Sequence, residues 1–231
     1  MNKFYWGGKT AGLVFRIILS VGLMALLFGA FRNTRAIVSF SNGEYTLETQ
    51  RYIGYMGESG IAEVMYVDFN NDGNPEKIVL EEGIVTVTNI TGEILKTDSK
   101  WTVEEILVGD FNNDGSKDLG IYLWKIGNYG PSMPFWVEEN DDSFKQHLFL
   151  YTWRDDKLKA LWHSSNLPYQ NIKTILADIS GDGQNELLVL EKPYDLKQNY
   201  GVTVAVWQWD EWGFINIWRS EKSQFHDIEV R

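Results

Sequence analysis

One motif occurs three times in this chain of 231 residues and constrains the fold more than any other feature. The stretches YVDFNNDGNPEKIVL (66–80), VGDFNNDGSKDLGIYL (108–123) and LADISGDGQNELLVL (176–190) share one skeleton. An apolar run leads into Asp-x-(Asn/Ser)-x-Asp-Gly-x-x-(Asp/Glu), and a second apolar run follows. Repetition at a few tens of residues marks a supersecondary unit that buries its face by stacking on copies of itself. The first two copies start 42 residues apart and the second and third 68 apart. A Gly-, Pro- and acid-rich insert at 125–144 accounts for most of the difference and reads as a loop.

A second repeat supports the first. LYTWRDDKLKALWHS (150–164) aligns without a gap to VWQWDEWGFINIWRS (206–220), matching Trp153 with Trp209 and Trp162 with Trp218. Each alternates apolar and polar residues on either side of a turn, the pattern of a hairpin, and a shorter hairpin at 84–97 holds the same place after the first motif. The unit is therefore strand, acidic loop, strand, hairpin: four antiparallel strands, the blade of a β-propeller. A further hairpin with an Asn-Gly turn is expected at 36–49 and a last strand at 223–230. Pairing these end pieces would close a ring and remove exposed sheet edges; an open stack of small sheets is the alternative. The expected fold is all-β, a small β-propeller-like array of about three full four-stranded antiparallel blades and a composite one. An aromatic content of 14%, with 10 Trp, fits strands and blades.

Crowded carboxylates in a short loop repel one another, and something must neutralise them. In a tightly curled loop the side chains at positions 1, 3 and 5 can turn to one point. Gly at 6 permits the sharp turn, the carbonyl of 7 joins them, and a carboxylate at 9 completes the set. The first loop offers Asp68, Asn70, Asp72, the carbonyl of Asn74 and Glu76; the second offers Asp110, Asn112, Asp114, the carbonyl of Ser116 and Asp118. The third offers Asp178, Ser180, Asp182, the carbonyl of Gln184 and Glu186, with the short Ser180 expected to weaken it. Oxygen donors in a flexible loop suit Ca²⁺, which accepts six to eight ligands, better than strictly octahedral Mg²⁺. Up to three structural calcium ions are expected.

These loops are not EF-hands, because position 12 is Val79, Ile121 and Val189, where an EF-hand requires Glu. The pattern resembles the FG-GAP or VCBS repeats of bacterial surface proteins and the integrin α-subunit propeller, over residues 61 to 220. That resemblance implies calcium bound between the strands of a blade, the carboxylate of position 9 at the start of the next strand, and roles in adhesion and assembly. The chain has three such loops where a full integrin-type ring has seven repeats, and it lacks the leading Phe-Gly and Gly-Ala-Pro signatures.

Residues 11–31, AGLVFRIILSVGLMALLFGAF, are apolar apart from Arg16 and as a helix would span roughly 30 Å of hydrocarbon. The segment reads as an uncleaved signal anchor or a signal peptide; either sends the remainder across a membrane. Lys3, Lys9 and Arg16 favour a cytoplasmic tail at 1–10 and an extracytoplasmic domain at 36–231. Residues 1–35 carry five basic and no acidic side chains, so the rest carries −16, which disfavours nucleic acid and anionic lipid as partners and favours cations. Without Cys there is no disulfide, zinc-thiolate site or thiol nucleophile. No HExxH, GxSxG or Gly-rich phosphate loop is present, and the three His (147, 163, 226) lack ligand spacing and read as surface or hairpin positions. The expected role is a non-catalytic, membrane-anchored interaction module whose partner is another protein or a cell-surface glycan. The insert, with Phe135 and Trp136, is the candidate recognition loop, and Trp153, Trp162, Trp209 and Trp218 are expected in the core.

Overall fold

The structure, a computed structural model, describes residues 31–54, 63–129, 138–139, 141–195 and 201–231. The expected membrane span, all but its last residue, lies outside them, as do Phe135 and Trp136. Among the described residues no helix is long and apolar enough to cross a membrane, and every regular element is a strand.

Each repeat folds as one antiparallel four-stranded sheet in chain order. The first holds β3 (Glu63–Val67), β4 (Glu76–Glu81), β5 (Ile84–Asn89) and β6 (Gly92–Lys96). The second holds β7 (Thr102–Gly109), β8 (Asp118–Ile126), β9 (Phe144–Arg154) and β10 (Lys157–His163); the third holds β11 (Gln170–Ala177), β12 (Glu186–Lys192), β13 (Thr203–Asp210) and β14 (Gly213–Arg219). The gapless alignment of the two long hairpins is physical: Trp153 pairs with Leu158 and Trp209 with Phe214 beside the turns, and both outer strands bulge three residues beyond Leu158 and Phe214, at Leu161 and Ile217.

The end pieces make the fourth sheet. β1 (Phe31–Ser41) turns through Asn42 and Gly43, both with positive φ, into β2 (Glu44–Gly54), and β15 (Asp227–Val230) lies parallel to β1 with Ala36 opposite Ile228. The hairpin is longer than the alternating stretch at 36–49, and β15 is shorter than 223–230. Arg35 bonds both Asp227 (2.7 Å) and Glu229 (2.6 Å), so the two chain ends are joined by charge as well as by the ladder.

Three apolar clusters join the sheets in series. One packs Phe69, Ile78 and Val87 of the first sheet on Leu119, Ile121 and Leu123 of the second. Another packs Phe111, Tyr122 and Leu150 of the second on Leu187 and Val189 of the third, and the last joins Leu188, Leu190 and Val204 to Ala36, Val38 and Ile228. Successive side chains of a strand point to opposite faces, so a sheet covered on both sides needs a nearly continuous apolar strand. DLGIYLWKI of β8 is such a strand and is buried almost throughout, whereas EKIVLE of β4 alternates and is buried on one face. The other face of the first sheet carries the exposed Val64 and Tyr66. Trp153, Trp162, Trp209 and Trp218 are partly buried against these clusters, as expected, but His147 departs from its expected surface place: it is wholly buried in β9.

Candidate functional site

The three acidic loops connect the first two strands of the three repeat sheets, β3 to β4, β7 to β8 and β11 to β12. They share one backbone. Position 6 has positive φ in each (Gly73, Gly115, Gly183), as the sharp turn requires, and so does position 4 (Asn71, Asn113, Gly181). Asn and Gly are the residues that tolerate this region best, so the conformation is written into FNNDG and SGDG twice over.

Position 1 organises the loop. Asp68 accepts the amides of Asp72 (3.1 Å) and Gly73 (2.9 Å), one on each carboxylate oxygen, and Asp110 accepts those of Asp114 (3.0 Å) and Gly115 (2.7 Å). Asp178 accepts those of Asp182 (3.1 Å) and Gly183 (2.9 Å), plus that of Gly181. Position 5 then accepts the amide of position 7: Asp72 from Asn74, Asp114 from Ser116, Asp182 from Gln184. At position 3, Asn70 and Asn112 donate their side-chain N–H into the carboxylates of Asp72 and Asp114 at 3.0 and 2.9 Å. The Asn74 amide and the Asn70 side chain hold the Asp72 carboxyl below its ordinary pKa; partial burial opposes the same effect of Asn112 and the Ser116 amide on Asp114, and the bonds win. Positions 1 and 5 are thereby tied within each loop, and position 3 joins them in the first two.

Position 9 begins the second strand and points inward. Glu76, Asp118 and Glu186 are 2%, 0% and 1% exposed, and accept the amides of Phe69 (3.1 Å), Phe111 (3.3 Å) and Ile179 (2.7 Å). The residues of position 2 are themselves core side chains, so each loop is pinned from below by a buried apolar anchor and a buried carboxylate. Asp118 is the most strained electrostatically. Burial raises its pKa to about 6, with Asp114 and Asp110 adding to the rise and Thr152 and the Phe111 amide opposing it, and its buried Oδ1 has no hydrogen-bond donor. Ser180 Oγ in the third loop is likewise buried and unpartnered.

Neighbouring loops are tied to each other. Lys117 donates to the carbonyl of Asp68 (3.1 Å), and Asn185, at the same position one repeat later, donates to the carbonyl of Asp110 (3.0 Å). The Asn185 amide also donates to Asn113 Oδ1 (2.7 Å). On the far side of the third loop the Tyr45 hydroxyl is pushed up to about 12 by burial and by Glu186 and Asp182, which places the fourth sheet beside that loop.

Among the described residues no three His, Asp or Glu side chains are close enough to hold a metal ion by themselves. In each loop the carboxylates of positions 1 and 5 accept backbone amides of the loop itself, and the carboxylate of position 9 is turned to the anchor amide. No family model matches the chain, and no curated protein or solved structure matches it either.

Sequence reasoning singled out positions 1, 3, 5, 6, 7 and 9 and passed over positions 2, 4 and 8. Phe69, Phe111 and Ile179 are hidden by their likeness to any strand-end apolar residue. The left-handed position 4 was signalled by Asn, Asn and Gly. Position 8 holds Pro75, Lys117 and Asn185, which share no chemistry, so no pattern marks it.

Proposed function

We propose that this chain is a calcium-stiffened, non-catalytic binding module, its sheets set as the blades of a small four-bladed β-propeller of the FG-GAP or VCBS kind, held outside the cell membrane by residues 11–31. The observation that carries the reading is the three-fold recurrence of one acidic loop, left-handed at positions 4 and 6, whose position 1 carboxylate accepts the amides of positions 5 and 6. The donor set fits a hard cation: only oxygens are offered, carboxylates predominate, and Asp118 Oδ1 lies buried beneath its loop without a donor. Asp68, Asp72, Asp110, Asp114, Asp178 and Asp182 would hold the ions, with Asn70, Asn112, Ser180, the carbonyls of Asn74, Ser116 and Gln184, and the second oxygens of Glu76, Asp118 and Glu186. Calcium there supplies positive charge that offsets carboxylate repulsion. It stiffens the loops and performs no chemistry.

The series of packed sheets and the pairing of β15 with β1 support a ring, in which the open face bearing Val64 and Tyr66 would meet the fourth sheet. A rigid platform of this kind suits recognition of a protein partner. A cell-surface glycan is the second reading, favoured by an aromatic-walled cleft beside the second sheet. Calorimetric titration of the chelated protein with calcium tests the proposal, with up to three binding events expected and a melting temperature that rises with occupancy. At a hundredfold excess over the dissociation constant each site adds about 2.7 kcal/mol. Flat titrations together with a melting curve indifferent to chelator would overturn it.

A further inference from the structure

Lys125 near the end of β8 is only 7% exposed, yet among the described residues its ammonium donates to a single acceptor, the carbonyl of Gly127, and no carboxylate lies within ion-pair distance. Other lysines of the domain behave differently: Lys145, Lys159 and Lys173 pair with Asp141, Asp155 and Asp227. An ammonium has three donors, and burying it without a counter-ion is unfavourable. Desolvation accordingly lowers the pKa of Lys125, and its charge adds to the burial that lowers His147, to about 4, and His163. An imidazole carries no negative charge in either protonation state, so neither histidine can balance it. In a domain carrying −16, an isolated buried cation calls for an anion from outside.

Lys125 lines a cleft of about 660 Å³, whose walls include Trp101, Tyr129, His163 and Trp212. Phe149 stacks on His163 with centroids 3.8 Å apart, Trp101 meets Phe149 edge-on, and Trp212 is 79% exposed at the mouth. Ser165 adds a hydroxyl, and Asp98 on the rim accepts the Lys100 amide at 2.9 Å. Concave sites with broad aromatic faces, a few polar groups and one charge bind compact amphipathic ligands. We propose that this cleft binds an acidic saccharide, its carboxylate against Lys125 and the C–H face of its ring on the exposed indole of Trp212. A single ammonium matches a single carboxylate. A phosphate dianion would leave charge unbalanced beside Asp98, and the hydroxyl and imidazole groups suit a polyol better than a peptide end.

The inference rests on the reading of the chain as a binding module and deepens its glycan alternative. Titrate the full chain in mild detergent with a glucuronate-terminated disaccharide, its methyl ester and its glucose-terminated counterpart, following tryptophan fluorescence and heat. The acid should bind at least tenfold more tightly than either neutral form. Lys125→Met should abolish that preference, and Trp212→Ala, at an exposed position that leaves the fold intact, should weaken all three ligands. The comparison of acid with ester on the unaltered protein decides the matter even if Lys125→Met fails to fold. Equal binding of acid and ester, no binding of any of them, or tighter binding of a peptide with a free C-terminal carboxylate would overturn the inference. Cleavage of the disaccharide with the acid preference intact would instead overturn the non-catalytic reading and leave acid recognition standing.

Discussion

The second and third repeats are the same machine built to different depths. Their loops share left-handed positions 4 and 6, yet Asp110 is half-buried where Asp178 is exposed, and the anchor Phe111 is wholly buried where Ile179 keeps 8% of its surface. Gly120 shows how tightly the second anchor is seated, since a Cβ there would lie 2.5 Å from the Phe111 ring. The leading strands differ too. Both bulge at the same point, and the residue after the bulge is Glu105 in β7 but Lys173 in β11. Lys173 pairs with Asp227, whereas Glu105 is pushed up to about 7 by burial and by Glu104 and Glu63, against the pull of Lys173. Loop conformation is thus set by positions 1, 4 and 6, and stability by what lies beneath.

The sharpest test of that separation is to remove the anchors. Phe111→Ala should cost about 4 kcal/mol and Ile179→Ala about 2, read from urea denaturation; equal costs would erase the difference in depth. Next come the ions. Asp110→Ala should remove about 2.7 kcal/mol of calcium-dependent stabilisation at saturating calcium, and Asp178→Ala less, as melting in calcium and in chelator would show. Asn185→Ala severs the tie between these two loops and should cost about 1.5 kcal/mol, with a double-mutant cycle against Asn113→Ala revealing the coupling.

The strand contrast gives a pH effect. Because folding raises the pKa of Glu105, its contribution is full below about 4.5 and is lost as pH rises through about 7. Allowing for solvent screening, the unaltered protein should lose about 1 kcal/mol between pH 5 and 8 from this group, and Glu105→Gln should lose correspondingly less across that interval. The smallest change expected is Gly181→Asn, which gives the third loop the Asn of the other two at a left-handed position and should alter stability by less than about 0.5 kcal/mol.

Much of this could be read from residues alone. Period-two alternation and the repeated motif specify twelve strands in three sheets, because a strand with one covered face and a strand with two leave different apolar patterns. The acidic loops were legible because Asp, Asn and Gly at fixed offsets have few structural uses. The arginine-flanked ends of β1 and β2 were not legible: residues 31–35 and 50–54 have no alternation, and their pairing follows from the long ladder they extend. Nor was the burial of Lys125, which sits at the border of a loop-like insert and is drawn inward by β8. The Arg35 link to Asp227 and Glu229 joins residues 192 and 194 positions apart, beyond the reach of local pattern.

The parallel pairing of β15 with β1 also sets an order of events during synthesis. Among the described strands β1 and β2 are the first to leave the ribosome, but the edge of β1 has no partner until residues 227–230 emerge. The first strand of the domain is then the last to be paired on both sides, and while it waits its open edge is available to other chains.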